Sequence, residues 1–194
     1  MTNECKKRLE KKDMSDKRER LLKNLIDQVK EAQIKLGYVK ETMRFYYPVS
    51  SLNALLGTEI EDSETMLLHL QKEMKQPTVL GMLLFHVHEG RIEISVPPEG
   101  VEYVCQKVEK PEFLTDLIHL FERNHHCSIE DICELFRRYS NEFVCEKMPE
   151  GTDFDYVVHF LNGSVDEYYY CVKMEMGHTI YHRFTEEDYR ALTR

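Results

Sequence analysis

The feature that most constrains the fold is an alternation of apolar and polar residues over 154–184, in three runs of strand length. Successive side chains of a β-strand point to opposite faces, so alternate apolar residues share one face. One run aligns Phe154, Tyr156, Val158 and Phe160, and the next aligns Tyr168, Tyr170, Val172 and Met174. The pattern predicts a half-buried antiparallel meander on which the core is built.

The register of this meander follows from its apolar residues. The Asn-Gly dipeptide at 162–163 favours a two-residue turn, which would place Val158 opposite Glu167. A loop of three or five residues places Val158 opposite Tyr168 and keeps apolar residues together. We therefore expect the longer loop.

A second hairpin is predicted at 79–96. With a two-residue turn, Phe85 faces Ile94 on one side of the hairpin and His86 faces Glu93 on the other. A slip of one residue would mix the apolar and polar sets, so the pattern supports this register.

The other segments carry helix signals, with apolar residues three and four apart and capping residues such as Ser15, Ser128 and Thr185. We expect the α+β class, an antiparallel sheet built from hairpins and flanked by about six helices. The expected organisation is a flexible basic tail at 1–14 and a single α+β domain over 15–194.

The charge is unevenly distributed along the chain. The formal net charge is −9, yet residues 1–35 hold 11 Lys/Arg against 7 Asp/Glu, and the remainder holds 15 against 28. An acidic body repels phosphate groups, which argues against nucleic acid as the main partner. The same surface suits a basic protein partner, as in an inhibitor or immunity-like role.

The two helices expected at 111–123 and 128–139, followed by a hairpin, have the order of a winged helix. A DNA-reading helix presents Arg, Lys, Asn or Gln at its start. The second helix here presents Glu130, Asp131 and Glu134. These charges argue against DNA binding.

Six cysteines are scattered along the sequence without a Cys-x-x-Cys pair. The first residues lack the apolar stretch of a secretory signal, and no run approaches the roughly 18 apolar residues of a membrane-spanning helix. These features predict a cytoplasmic protein with reduced thiols and no membrane span.

The polar face of the hairpin at 79–96 is a candidate metal site. His86 and His88 lie on one strand face with Cα atoms about 7 Å apart. Two imidazoles at that spacing can bind one zinc or other divalent ion, with Glu93 across the hairpin as a third ligand. The alternative is a solvent-exposed face with an ordinary His–Glu pair.

The turn before Ser128 holds further candidates, namely His125, His126 and Cys127. Mixed His and Cys ligands suit zinc, although structural zinc sites usually contain a second close pair of ligands. Cys127 lies before a helix N-terminus and beside two histidines, a setting that lowers a thiol pKa, so it is the candidate nucleophile. The alternative is a polar turn between two helices.

The chain contains none of the common motifs for phosphate binding, dinucleotide binding, serine hydrolysis or zinc proteolysis. The leading hypothesis is therefore a non-enzymatic binding protein without a cofactor. The alternative is a small metal-dependent enzyme that uses His86, His88 and Glu93, with His159, His178 or His182 contributed by the meander.

Two segments, at 36–57 and 179–189, read LGYVKETMRFYYPVSSLNALLG and TIYHRFTEEDY. They resemble an uncharacterised bacterial family, a domain of unknown function from anaerobic gut clostridia. The resemblance covers nearly the whole chain and implies a bacterial cytoplasmic protein. It implies no activity and no site residue.

Overall fold

The structure, a computed structural model, describes the backbone of residues 3–123 and 126–193, and within that range it describes side chains from residue 17 onward. These residues form seven α-helices and two antiparallel sheets, which confirms the α+β class. The chain divides into two compact units, Met1–Glu109 and Lys110–Arg194. The expected tail at 1–14 and single domain over 15–194 stay predictions.

The first unit combines four helices with a three-stranded sheet in its described residues. The helices are α1 (Asn3–Leu36), α2 (Val49–Leu56), α3 (Ser63–Glu73) and α4 (Pro98–Lys107). The strands are β1 (Met43–Tyr47), β2 (Leu84–His88) and β3 (Arg91–Val96), with β3 in the centre.

The helix expected to start at Ser15 starts at Asn3 instead. The residues between are mostly Lys, Arg, Glu and Asp, without glycine or proline, so no residue there stops the helix. At its other end, the helix stops before Gly37, whose positive φ of 77° is the left-handed conformation that glycine adopts readily at a helix end.

The predicted start of the hairpin at residue 79 is wrong, because backbone bonds between Thr78 and Gly81 close a turn there and β2 begins at Leu84. The predicted hairpin register is confirmed, with Phe85 opposite Ile94 and His86 opposite Glu93. One face of this sheet is therefore apolar and packs into the core of the unit. The fully buried members of that core are Leu21, Leu25, Val29, Leu52, Met66, Leu70, Leu80, Ile92, Ile94, Val96, Val101 and Val104. The polar side of the hairpin lies on the opposite face of the sheet.

The second unit combines three helices with a four-stranded meander in its described residues. The helices are α5 (Glu112–Arg123), α6 (Ile129–Tyr139) and α7 (Glu186–Leu192). The strands are β4 (Phe143–Lys147), β5 (Tyr156–Phe160), β6 (Tyr169–Glu175) and β7 (His178–Phe184), in the order β4-β5-β6-β7. Strands β4 and β7 are therefore the outer strands of this sheet.

The register predicted for the meander is wrong by two residues, because Val158 lies opposite Tyr170 and not Tyr168. The connection between β5 and β6 is longer than expected, and it begins with the 3-10 turn Leu161–Gly163, where Asn162 has a φ of 56°. A shift of two residues keeps every side chain on its predicted face.

Phe113 of α5 lies at the centre of the second core. Its ring centroid is 4.8 Å from those of Phe136 and Phe160 and 5.7 Å from that of Tyr170. Helices α5 and α6 thus cover one face of the meander. Tyr189 of α7 covers the other face and stacks on Tyr169 at 4.7 Å.

Candidate functional site

The hairpin histidines lie on the polar face of the first sheet. His86 lies opposite Glu93 and His88 opposite Arg91, as predicted. Both imidazoles are exposed, and the ring centroid of His88 lies 5.4 Å from that of Tyr46 on β1. His86 also lines an open groove together with Met74 and Leu84, whereas neither His88 nor Glu93 belongs to the lining of that groove.

Other side chains already engage the carboxylate expected to be the third metal ligand. Glu93 Oε1 lies 3.4 Å from Arg44 Nε and accepts a hydrogen bond of 3.1 Å from the Ser95 hydroxyl. Partial desolvation and the Glu93 carboxylate raise the pKa of Tyr46 on the same face. In the part of the chain that the structure describes, no three His, Cys, Asp or Glu side chains are close enough together to hold a metal ion.

The candidates in the turn before α6 are only partly described. His125 lies outside the described residues. His126 is exposed, and its Nδ1 atom contacts the carbonyl oxygen of Gly177 in the turn between β6 and β7. Its ring stacks on that of His178, with 5.4 Å between the centroids. His126 therefore contacts the β6–β7 hairpin through both a polar and a ring contact.

Cys127 is buried, and its backbone carbonyl accepts a hydrogen bond of 2.7 Å from the Thr179 hydroxyl. Burial raises the pKa of the Cys127 thiol above its ordinary value. The expected lowering of this pKa is wrong. The free-energy cost of removing a thiolate from water exceeds the stabilisation that neighbouring hydrogen-bond donors give to it. The role of Cys127 as a nucleophile stays a prediction.

The histidines of the meander make separate contacts. The ring of His159 stacks on that of Tyr169 at 4.1 Å. The ring of His182 lies 5.3 Å from that of Phe154. His178 instead packs in the stacked pair described above, so these contacts do not assemble the three imidazoles into one site.

A different feature, absent from the candidates drawn from the sequence, lies along the outer strand β4. Among the described strands, β4 pairs with β5 alone. Two backbone bonds mark the ends of this pairing, from Leu161 N–H to the Glu142 carbonyl at 2.9 Å and from Met148 N–H to the Asp155 carbonyl at 2.8 Å. In an antiparallel ladder the residues that bond to a given neighbour alternate along the strand.

The residues of β4 that alternate with Glu142 and Met148 direct their backbone groups away from β5. These residues are Phe143, Cys145 and Lys147. Their N–H and C=O groups form an open strand edge, the kind of surface to which another strand can add.

Four exposed glutamates lie on the two elements that meet here, α6 and the β4 segment. They are Glu130 and Glu134 on α6, and Glu142 and Glu146 on the β4 segment. Helix α6 packs beside β4, since the guanidinium of Arg137 lies 5.8 Å from the ring centroid of Phe143. Both Glu130 and Glu146 act electrostatically on the thiol of Cys145, which places them near the same point of the strand. We call these four residues, together with strand β4, the acidic edge.

The acidic edge belongs to the more acidic unit. Residues 110–194 hold 9 Lys/Arg and 17 Asp/Glu, a net charge of −8, whereas residues 1–109 hold 17 and 18, a net charge of −1. Nearly all of the net charge of the chain therefore lies in the second unit.

Sequence analysis missed this site because a strand edge depends on strand order, which is a long-range property. From the sequence, the glutamates of α6 indicate only that this helix does not bind DNA. A partial signal was present in Glu142 and Glu146, which are four residues apart and lie at opposite ends of an apolar segment.

None of the helices within the described residues has the length and apolar character needed to cross a membrane.

No curated protein and no solved structure matches the chain. Residues 18–193 match the family described as "Domain of unknown function, E. rectale Gene description (DUF3877)". E. rectale is a gut clostridium, so the family expected from the segments at 36–57 and 179–189 is confirmed. The chain therefore belongs to this family of domains of unknown function.

Proposed function

We propose that the chain is a non-enzymatic binding protein of the bacterial cytoplasm, and that its acidic edge holds a basic, extended segment of a partner protein. The observation that carries the proposal is the coincidence of an open strand edge with four exposed glutamates. Each feature alone is common on protein surfaces. Together they match the backbone and the charge of one kind of ligand.

The binding mode that fits is addition of the partner segment as a further strand beside β4. Backbone bonds to Phe143, Cys145 and Lys147 would supply affinity independent of the partner's sequence. Lys or Arg side chains on the two faces of the added strand would lie beside Glu146 of β4 on one face and Glu130 of α6 on the other. Such charge pairs favour basic segments over acidic ones and speed association.

The properties of the residues considered for catalysis support a binding role over an enzymatic one. The Cys127 thiol is buried and its pKa is raised, whereas a nucleophile needs an accessible thiolate. The Glu93 carboxylate is engaged by Arg44 and Ser95, and the histidines beside it are exposed. The metal-dependent alternative therefore has no specific observation in its favour.

The state of the cysteines supports the proposed compartment. The five cysteines whose side chains are described, Cys105, Cys127, Cys133, Cys145 and Cys171, are all free thiols. Free thiols fit a reducing compartment such as the cytoplasm.

A short peptide of lysine pairs separated by threonine pairs, which presents lysine on both faces of a strand, tests the binding mode directly, with glutamate in place of lysine as its control. Amide hydrogen exchange of the full chain is followed by NMR with and without peptide. We expect exchange at Phe143, Cys145 and Lys147 to slow by at least about tenfold with the basic peptide, because these amides gain acceptors. The amides of Val144 and Glu146, which already face β5, should change little.

Charge-reversal variants test the location of the site. Glu130→Lys combined with Glu146→Lys should weaken binding of the basic peptide by about tenfold or more. The matched control is Glu122→Lys with Glu187→Lys, which makes the same change of charge at exposed positions elsewhere in the unit. Equal weakening by both double variants, or binding without slower exchange on β4, would refute the proposal.

A further inference from the structure

Two half-buried cysteines lie side by side at the junction of α6 and β4. Cys133 belongs to the helix and Cys145 to the strand, and the thiol of Cys133 acts electrostatically on that of Cys145. Cys127 and Cys171 of the same unit are buried. The pair therefore combines proximity with partial access to solvent.

The packing of α6 on β4 explains why these two thiols meet. Arg137 of α6 lies over Phe143 of β4 at 5.8 Å. Cys133 precedes Arg137 by four residues, which is about one helical turn on the same side of the helix. Cys145 follows Phe143 by two residues, so it lies on the same face of the strand. It also lies opposite Val158, whose side chain belongs to the core beneath α6.

We propose that Cys133 and Cys145 are a reversible oxidation site, at which a peroxide converts the two thiols into a disulfide that joins α6 to β4. The inference is independent of the proposed binding function. It rests on the packing of one helix against one strand and on the exposure of the two thiols.

The order of the two steps follows from the environment of Cys145. Burial, the largest cause, raises the pKa of the Cys145 thiol above its ordinary value, so we assign the first reaction with peroxide to Cys133. The Cys133 thiolate attacks one oxygen of the peroxide and the O–O bond breaks. A sulfenic acid forms on Cys133, and the other oxygen leaves, taking a proton to become water or an alcohol.

Cys145 completes the reaction. Its sulfur attacks the sulfur of the sulfenic acid, the S–S bond forms and the S–O bond breaks. The departing hydroxide takes the proton of Cys145 and leaves as water. The two thiols together lose two electrons, which reduce the peroxide. A cellular dithiol reverses the change by thiol–disulfide exchange.

The other described cysteines of this unit are poor competitors for the same oxidant. Burial raises the pKa of Cys171 to about 11 and also raises the pKa of Cys127. Thiols in this state are slow to ionise and are shielded from peroxide. Cys105 of the first unit is half-buried and provides an internal control, because it has similar exposure and lies outside the pair.

Peptide mapping of the oxidised full chain tests the proposal. The reduced chain is treated with a small excess of hydrogen peroxide, alkylated, and digested with Glu-C protease. Cleavage after glutamate isolates Cys133 in the peptide 131–134 and Cys145 in the peptide 143–146, apart from Cys127. We expect these peptides to appear joined, at a mass lower by two hydrogen atoms than their sum. Dithiothreitol should restore the two separate peptides. Recovery of both as separately alkylated peptides while Cys105 is oxidised would overturn the proposal.

Variants test the order of the steps. Cys145→Ser should stop the reaction at a sulfenic acid on Cys133, which dimedone traps. Cys133→Ser should abolish the fast loss of thiols, whereas Cys105→Ser should leave disulfide formation unchanged. Equal rates of oxidation in Cys133→Ser and in the parent chain would refute the assignment of Cys133 as the first nucleophile.

Discussion

Gly100 provides the sharpest test of how the first unit is packed, because two general rules predict opposite effects there. It lies in the first turn of α4, where replacing glycine with alanine normally stabilises a helix. However, a Cβ atom at this position would lie 2.3 Å from the carbonyl oxygen of Leu80 and 2.9 Å from Val96 Cγ1. The two effects must be compared in size.

The steric effect should dominate. An ordinary carbon–oxygen contact is about 3.3–3.6 Å, so Gly100→Ala requires a backbone shift of about 1 Å. Overpacking costs about 1–3 kcal/mol, and here the blocking atom belongs to the backbone of a fully buried residue, which puts the cost in the upper part of this range, at about 2–3 kcal/mol. The gain in helix propensity is about 0.8–1 kcal/mol. We expect Gly100→Ala to lower the free energy of unfolding by about 1–2 kcal/mol.

Urea unfolding followed by circular dichroism measures this difference as a lower midpoint with an unchanged slope. The exposed residue Gln106 in the same helix provides the control. There Gln106→Ala should be more stable than Gln106→Gly by up to about 1 kcal/mol, since only propensity acts. If alanine at position 100 is neutral or stabilising while the Gln106 pair behaves as stated, the proposed close packing of α4 is wrong.

Two further predictions concern titrating groups of the second unit. Hydrogen bonds from Ser128 lower the pKa of Asp131 below its ordinary value of 3.8, so the stabilisation from this carboxylate is present above that pH and is lost as the pH falls through the folded pKa. Asp131→Asn should flatten the acid limb of a Tm–pH profile, and an unchanged limb would refute this. Burial and Asp116 raise the pKa of Tyr139 from 10.0 to about 12, so the stabilisation is complete below pH 10 and is lost as the pH rises towards 12. Tyr139→Phe should cost about 1–2 kcal/mol at neutral pH and reduce the alkaline loss of Tm, and a steeper loss would contradict the assignment.

The features that sequence analysis predicted correctly are those fixed by near neighbours. Ser128 caps α6 because its side chain and that of Asp131 bond to each other's backbone N–H groups three residues apart. The register of Phe85 with Ile94 follows from a tight turn and from apolar residues that must share a face. In both cases the deciding interaction spans only a few residues.

The wrong features depend on geometry that the local pattern leaves open. Val158 pairs with Tyr170 in place of Tyr168, because a shift of two residues satisfies the same alternation. The alternation predicts one sheet, whereas the described strands form two, because alternation within a strand does not specify which hairpins pair with each other. The pKa of Cys127 was misjudged because burial depends on the packing of distant segments.

The acidic edge and the cysteine pair illustrate why the second unit required a structure. Both involve β4 and α6, and both include Cys145. The acidic edge depends on the backbone groups of this residue, whereas the cysteine pair depends on its side chain. Backbone hydrogen bonds lie in the plane of a sheet, whereas side chains stand perpendicular to it. The backbone of Cys145 therefore faces the open edge while its thiol faces α6. A disulfide at this position would fix the helix to the strand and leave the backbone edge open, so the two proposals make separate demands on the same residue and can fail separately.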